Sequence, residues 1–342
     1  MPRRRQATLA ALALCALAAL FPGPTGSRGR DSGPAEAQPR SVKVFRVGVL
    51  SVESPPAGLA PTGNALVQGL KDLGYVEGQN LSVEYRSAEG RPERLRQFAA
   101  DLVRSSADVI VATTSQAIAA AQQATAAVPI VMAAITDPVR LGFVESLAAP
   151  GTNITGIVGL PAHLAASHLD LLKEAVARTS RVAILINPAN HDHAGWRDLA
   201  RKAEAQSMKL QPVSVRGPAE LAPALAAMAR EGVDALVVLD DPLFSRERAR
   251  LAALAVQHGL PTAYGLREYV DTGGLIGYGP NQRELFRQVA GYVDRILRGA
   301  RPRDLPVQQP SKLDLVINLR TARALGLTIR PSVLQRASEV IQ

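Results

Sequence analysis

Phe45-Arg46-Val47-Gly48-Val49-Leu50-Ser51 decides the fold. It is short and nearly all apolar, with β-branched residues at alternate positions. A run of this kind suits a strand buried on both faces, as in a parallel sheet covered by helices. A polar, Pro-rich loop comes next. Beyond it lies a segment with Leu66, Leu70 and Leu73 at helical spacing, which Thr62 can cap and Gly74 can end.

The unit recurs outward from there. Strands are expected at Leu81 to Tyr85, Asp108 to Ala112, Pro129 to Ala134 and Ile154 to Gly159. Helices fall between them, one opened by Pro92, one over Gln116 to Ala126 and a short one near Leu141 to Leu147. After a helix from about His163 to Ala177, a second block repeats the scheme. Its strands are 181–187, 209–215, 235–239, 261–264 and 275–279, and its helices are 194–206, 219–230, 245–257 and one from Asn281 to about Leu297. The alternation predicts an α/β chain of two doubly wound parallel-sheet domains. Residues 300–342 are too short and too Pro-interrupted for a third domain, and read as a tail crossing between the blocks. The expected division is 1–37 as signal peptide and lead-in, 44–158 plus 281–308 as an N-terminal lobe, and 159–280 plus 309–342 as a C-terminal lobe.

The N-terminus has the character of an export signal. Arg3, Arg4 and Arg5 precede an apolar run of 15 residues, Ala7 to Phe21, interrupted only by Thr8. As a helix that run reaches about 22 Å, short of the roughly 30 Å hydrocarbon core, so a cleaved signal fits better than a permanent anchor. Ala35-Glu36-Ala37 and Thr25-Gly26-Ser27 are the competing cleavage sites. Cys15, the only cysteine, lies inside the apolar run behind Leu14, where a lipidation site would want a small residue. Cleavage would leave a cysteine-free protein in the periplasm or another extracytoplasmic space, stabilised by its core rather than by disulfides.

The formal charge of +9 falls to +6 without residues 1–37, which hold five arginines and two acids. The basic residues are scattered over helical segments, not gathered in the stripe that a nucleic-acid surface needs. Gly273, Gly274, Gly277 and Gly279 surround a strand rather than linking strand to helix, so the dinucleotide fingerprint fails. Neither a P-loop nor a Gly-x-Ser-x-Gly motif occurs. His191-Asp192-His193 lacks further His or Cys partners at metal spacing. The expectation is a protein that is not an enzyme and holds neither metal nor cofactor.

In open parallel sheets, ligands bind beyond the carboxyl ends of the strands. That rule selects Ser51, Thr113, Thr114, Ser115 and Asp137 in the first block, and Asn187, Asp240, Asp241 and Tyr278 in the second. Hydroxyls at a helix start suit a carboxylate, although Ser115 also suits a plain helix cap. Asp240 or Asp241 can hold an ammonium group, or can simply cap a helix. Asp137-Pro138 and Asn187-Pro188 are also natural turn formers. Tyr264 and Tyr278 can stack on a flat ligand or belong to the core.

Three groups of residues carry a family resemblance. Asp137-Pro138-Val139, Gly142, Ser146-Leu147, Pro150-Gly151, Asn153 and Thr155-Gly156 resemble the ABC transporter substrate-binding proteins that include tryptophan and other aromatic amino-acid binders. Leu315-Val316-Ile317-Asn318-Leu319, Thr321-Ala322, Ala324-Leu325-Gly326-Leu327 and Pro331 match the same family. So do Gly69-Leu70, Leu73-Gly74-Tyr75 and Gly78-Gln79-Asn80, and the likeness spans about residues 45–341. It implies a type I periplasmic binding-protein fold with a hinge joining the two domains, closure of two lobes over a small solute such as an amino acid, and a membrane permease and ATPase as partners of a monomer. The Pro-rich loop from Ser51 to Pro56 lacks an aromatic residue. A ligand sensor signalling to a membrane receptor is the alternative that the sequence leaves open.

Overall fold

Side-chain alternation along β3 (Val109–Ala112) shows how the first sheet is covered. Val109 and Val111 face one layer of helices while Ile110 and Ala112 face the other, all four fully buried. The computed structural model describes residues 43–342 except 54–60, 160–163, 177–178, 191, 194–195 and 311. The export signal, Cys15, both cleavage sites, most of the Ser51 to Pro56 loop and His191 lie outside the described residues.

The first sheet runs β2 (Leu81–Ser87), β1 (Phe45–Ser51), β3, β4 (Ile130–Ile135), β5 (Ile154–Val158), all parallel. One face carries α1 (Pro61–Asp72) and α10 (Gln282–Leu297); the other carries α2 (Leu95–Arg104) and α3 (Ser115–Ala124). Thr62 lies inside the first turn of α1 rather than ahead of it. Helices α1 and α10 meet at a small-residue contact. A Cβ built on Gly69 would lie 2.8 Å from the Cβ of Ala290 and 3.3 Å from the Cα of Arg287, so glycine sets the distance between the two helices.

The second sheet runs β12 (Glu339–Ile341), β11 (Leu313–Asn318), β10 (Ile276–Pro280), β9 (Thr262–Tyr264), β8 (Ala235–Val238), β6 (Arg181–Ile186), β7 (Lys209–Ser214). Read from β7 to β10, it repeats the strand order of the first sheet. Val182, Ile184 and Ile186 pack under α4 (Leu164–Ala175) and α5 (Trp196–Ala205). Ala183, Leu185, Leu236 and Val238 pack on the opposite side, under α6 (Leu221–Arg230), α7 (Pro242–Arg246), α8 (Arg248–Gln257) and α9 (Arg267–Asp271).

Four expectations are corrected. The 300–342 segment is not only a crossing tail, because β11, α11 (Leu319–Ala324), α12 (Pro331–Arg336) and β12 complete the second sheet. Strand β11 enters antiparallel to β10, with Ile276 opposite Ile317, so this sheet is mixed at one edge. No helix forms at 141–147. That segment is a series of turns, broken by Gly142 at φ +74° and tied back by Phe143 N–H to Pro138 O at 2.9 Å. Helix α9 has no counterpart among the expected elements.

The chain passes between the sheets after β5, after β10 and again before β11. On its last return, Gln308 pairs with the edge of β5. Val158 N–H donates to Gln308 O at 2.9 Å, and Gln308 N–H to Gly156 O at 3.0 Å.

Candidate functional site

In both sheets the strand order reverses beside the first strand of the block, between β1 and β3 and between β6 and β8. A crevice opens at such a point because the connections on its two sides leave toward opposite faces. Ser51 and the Thr113–Ser115 turn stand at the first reversal, and Asn187 and Asp240 at the second. Asp137 lies beyond the end of β4, where its Oδ1 accepts from Arg140 N–H at 3.0 Å as a turn former.

Thr114, not Ser115, caps α3. Its Oγ1 accepts from Ala117 N–H at 3.2 Å, with extended backbone at φ −142°. Ser115 is the first residue of the helix and is buried. The cap satisfies Ala117 N–H, while the N–H groups ahead of it have no partner within the helix.

On the second sheet, Asp241 is occupied internally. It is 2% exposed and caps α7 by accepting from Leu243 N–H at 2.8 Å. Asn190 Nδ2 donates to it at 2.9 Å, and Asn187 Nδ2 approaches both its oxygens at 3.2 Å. Asn187 Oδ1 in turn accepts from Ala189 N–H at 3.0 Å. His193 fastens the two strand-end loops together. Its Nδ1 accepts from Asn187 N–H at 2.8 Å, so Nε2 carries the proton and donates to Asp240 O at 2.9 Å. Its ring stacks on Phe244 at 6.3 Å. Both ring nitrogens are therefore used in holding the loops. Among the described residues, no group of three or more His, Cys, Asp or Glu side chains is arranged to hold a metal.

Asp240, just beyond the end of β8, is partly buried. Its carboxyl is pushed up to about 8, first by desolvation and then by the charges of Glu53, Asp241, Glu268 and Asp192. Glu53 comes from the other sheet, two residues beyond β1. It keeps solvent-accessible surface, yet crowding by protein raises its carboxyl as well. The neighbouring Ser245 and the charges of Arg248 and Arg246 act against that rise. Glu268 on α9 is raised by the same desolvation. Tyr269 is 1% exposed and stacked on Tyr264 with ring centroids 4.6 Å apart, and among the described residues its hydroxyl has no hydrogen-bond partner.

The two sheets touch beside this cluster. Arg246 of α7 reaches Glu89 O at 3.5 Å and packs over Gly90, in the turn after β2. That turn is tied to the end of β1 by Gly90 N–H to Val52 O at 2.8 Å and by the Ser87 hydroxyl to Glu53 O.

Tyr264 is core, 0% exposed, because its strand is covered on both faces. Tyr278 is half-buried. Its carbonyl accepts from His168 Nε2 at 2.7 Å, and its ring lies edge-on to that imidazole, which burial holds neutral by lowering its pKa to about 4. Sequence reading named the loop that holds Glu53 without choosing it, and passed over Glu268 and Tyr269. Two surface grooves, one of about 500 Å³ near Asn153 and Arg303 and one of about 480 Å³ near Asn281 and Arg287, are lined by none of the nine expected site residues.

Known proteins match this arrangement along nearly its whole length. Residues 46–341 fit the family model described as ABC transporter substrate binding protein. A tyrosine-binding protein of Clostridioides difficile strain R20291 is 24% identical over 311 residues, covering 90% of this chain and 88% of that protein. A conserved domain protein from Vibrio cholerae O1 biovar El Tor has a crystal structure that superposes with TM-score 0.81 at 32% identity, over 87% of this chain and 100% of the other. An ABC domain from Streptococcus pneumoniae, solved in complex with L-Trp, also gives TM-score 0.81, at 26% identity over 87% and 100%. Structures in this group have the type I periplasmic binding-protein fold, the two-domain architecture seen here.

Proposed function

The chain belongs to the ABC transporter substrate-binding protein family, and from that premise we propose that it captures an amino acid between its two lobes for delivery to a membrane permease and its ATPase. Binding of a small solute for import is the work of the family; the ligand class is read from the site. The observation that carries it is the pairing of two chemistries at the strand ends. The Thr113–Ser115 turn offers hydroxyls and unsatisfied helix N–H groups to a carboxylate. At the strand ends of the other lobe, Asp240, whose carboxyl is pushed up to about 8, would give up its proton to pair with an ammonium group. Two of these similar proteins are described as a complex with L-Trp and as tyrosine-binding, which supports an aromatic side chain.

In this reading Ser51, Asp137, Asn187 and Tyr278 rim the cleft, and Asp241 holds the Asn187 and Asn190 loop in place. The lobes comprise 44–158 with 281–308 and 159–280 with 309–342, with the hinge at the three crossings. Ligand binding drives closure because only the closed form presents both sets of contacts at once. The protein acts as a monomer outside the cytoplasm, exported by its N-terminal signal. Among the described residues no helix is long and apolar enough to cross a membrane.

Isothermal calorimetry with the twenty amino acids tests the proposal. Saturable binding of at least one, strongest for an aromatic side chain, is expected. A flat response to all twenty overturns the amino-acid reading.

A further inference from the structure

We propose that Glu53 and Asp240, one from each lobe, hold a single ligand cation between them, so that the cleft selects a positively charged nitrogen and Glu53 determines specificity from the first lobe. This rests on the solute-capture reading above and deepens it.

The backbone brings the two residues together. The turn at Glu89 and Gly90 is bonded to the end of β1 beside Glu53, and the same turn receives Arg246 from α7. Helix α7 starts at Asp241, next to Asp240. Arg246 and Arg248 of this region lie close enough for their charges to act on the Glu53 carboxyl.

The nearby charges do not cancel. Asp240 is faced by the carboxylates of Glu53, Asp241, Glu268 and Asp192. Two cations stand near, and both have other bonds: Arg246 to Glu89 O, and Arg248 to Ser245 O at 2.9 Å. Asp241 is answered by two asparagines and a backbone N–H. Among the described residues Asp240 and Glu53 have no comparable set of donors, and the crowding that raises both carboxyls is relieved by a cation as well as by a proton.

An independent observation comes from Tyr269. Its hydroxyl is buried, has no partner among the described residues and lies in the field of Asp240, Glu53 and Asp241. Unsatisfied buried polar groups are uncommon and call for a reason. An alkylammonium has three N–H donors, and Glu53, Asp240 and the Tyr269 oxygen supply three acceptors. A ligand without that nitrogen would leave two carboxylates facing each other across the closed cleft.

The test is calorimetry on the whole protein with three sets of probes. These are L-tyrosine and L-tryptophan; tyramine and tryptamine, which keep only the nitrogen; and 3-(4-hydroxyphenyl)propionate and indole-3-propionate, which keep only the carboxylate. The amino acids bind, the amines bind more weakly, and the deaminated acids bind at least 100-fold more weakly than the amino acids. Glu53→Gln weakens the amino acids at least tenfold without lowering the melting temperature, and Glu53→Asp recovers part of the loss. Deaminated acids within threefold of the amino acids, or wild-type affinity in E53Q, overturns the clamp and leaves the amino-acid reading intact. Silence toward all twenty amino acids with a response to the amines overturns that reading and leaves the clamp. Silence toward amino acids and amines together overturns both.

Discussion

Asp108 and Asp234 occupy equivalent places in the two sheets. Asp108 Oδ2 accepts from Arg46 N–H at 2.7 Å, and Asp234 Oδ2 accepts from Arg181 N–H at 2.7 Å. In return each aspartate N–H donates to the carbonyl of the same arginine at 2.8 Å. Each carboxylate pins the first strand of its block to the third at the edge opposite the cleft. The duplication visible in the strand order thus extends to single hydrogen bonds.

Asp234 also receives Ser180 N–H at 2.9 Å and the Ser180 hydroxyl at 3.0 Å. Desolvation acts to raise its pKa, but these bonds together with Arg181 outweigh it and hold the carboxyl below its ordinary value. Asp234→Ala is expected to cost about 1–2 kcal/mol near neutrality, less than a buried charged bond because the site is wet. A folded pKa below the unfolded one stabilises above the unfolded pKa of about 3.9 and loses that stabilisation as pH falls through the folded value. Urea melts should show the gap between wild type and variant narrowing below about pH 4.

Asp240 has the opposite sign. Its folded pKa of about 8 lies above the unfolded one. Its contribution to stability is full below the unfolded pKa and is lost as pH rises toward 8. Unliganded protein should therefore melt progressively lower between pH 5 and 8. Asp240→Asn should flatten that slope and raise the midpoint at pH 8 by about 2–4 °C, while reducing affinity for L-tyrosine about 10-fold or more. An unchanged slope in scanning calorimetry counts against the assignment.

Tyr269→Phe removes a buried hydroxyl that has no partner among the described residues. Deleting such a group is neutral or stabilising, by up to about 1 kcal/mol. Its affinity for L-tyrosine should nevertheless fall several-fold. A parallel loss of stability and affinity would mean the hydroxyl serves the core instead.

His193→Ala takes away the acceptor of Asn187 N–H and the donor to Asp240 O. It should destabilise by about 1–3 kcal/mol and loosen both strand-end loops. Hydrogen exchange should increase at Asn187 and Asn190 while Val182 to Leu185, in the middle of β6, remains protected.

Gly69→Val drives a side chain into Ala290 and the backbone of Arg287. A cost of about 1–3 kcal/mol is expected from overpacking, read as a lower midpoint in urea. Gly69→Val combined with Ala290→Gly should recover part of it.

Much of the architecture was legible because buried parallel strands need continuous apolar runs, and β1, β3, β6 and β8 supply them without ambiguity. The strand-end loops could be placed on the same basis. Legibility failed where local pattern competes with long-range packing. Helix α9 has five residues, too few for a periodic signal. Strand β11 reads as a strand in isolation, but its antiparallel direction depends on where the chain returns from α10. Thr114 and Ser115 are chemically alike as caps, and only the extended backbone at Thr114 separates them.

The chain by itself determined two repeated α/β blocks and the loops at which chemistry can occur, because side-chain periodicity is a local property. Tertiary structure alone decided which loop residues meet. Glu53 and Asp240 are distant in sequence, and nothing near either one announces the other. The charge of Glu53 acts on Asp240 because Arg246 of α7 reaches the turn after β2, which is bonded to the end of β1. Electrostatic environment is set by all the groups that folding gathers, so the raised carboxyls and the buried Tyr269 hydroxyl exist only in the assembled cleft.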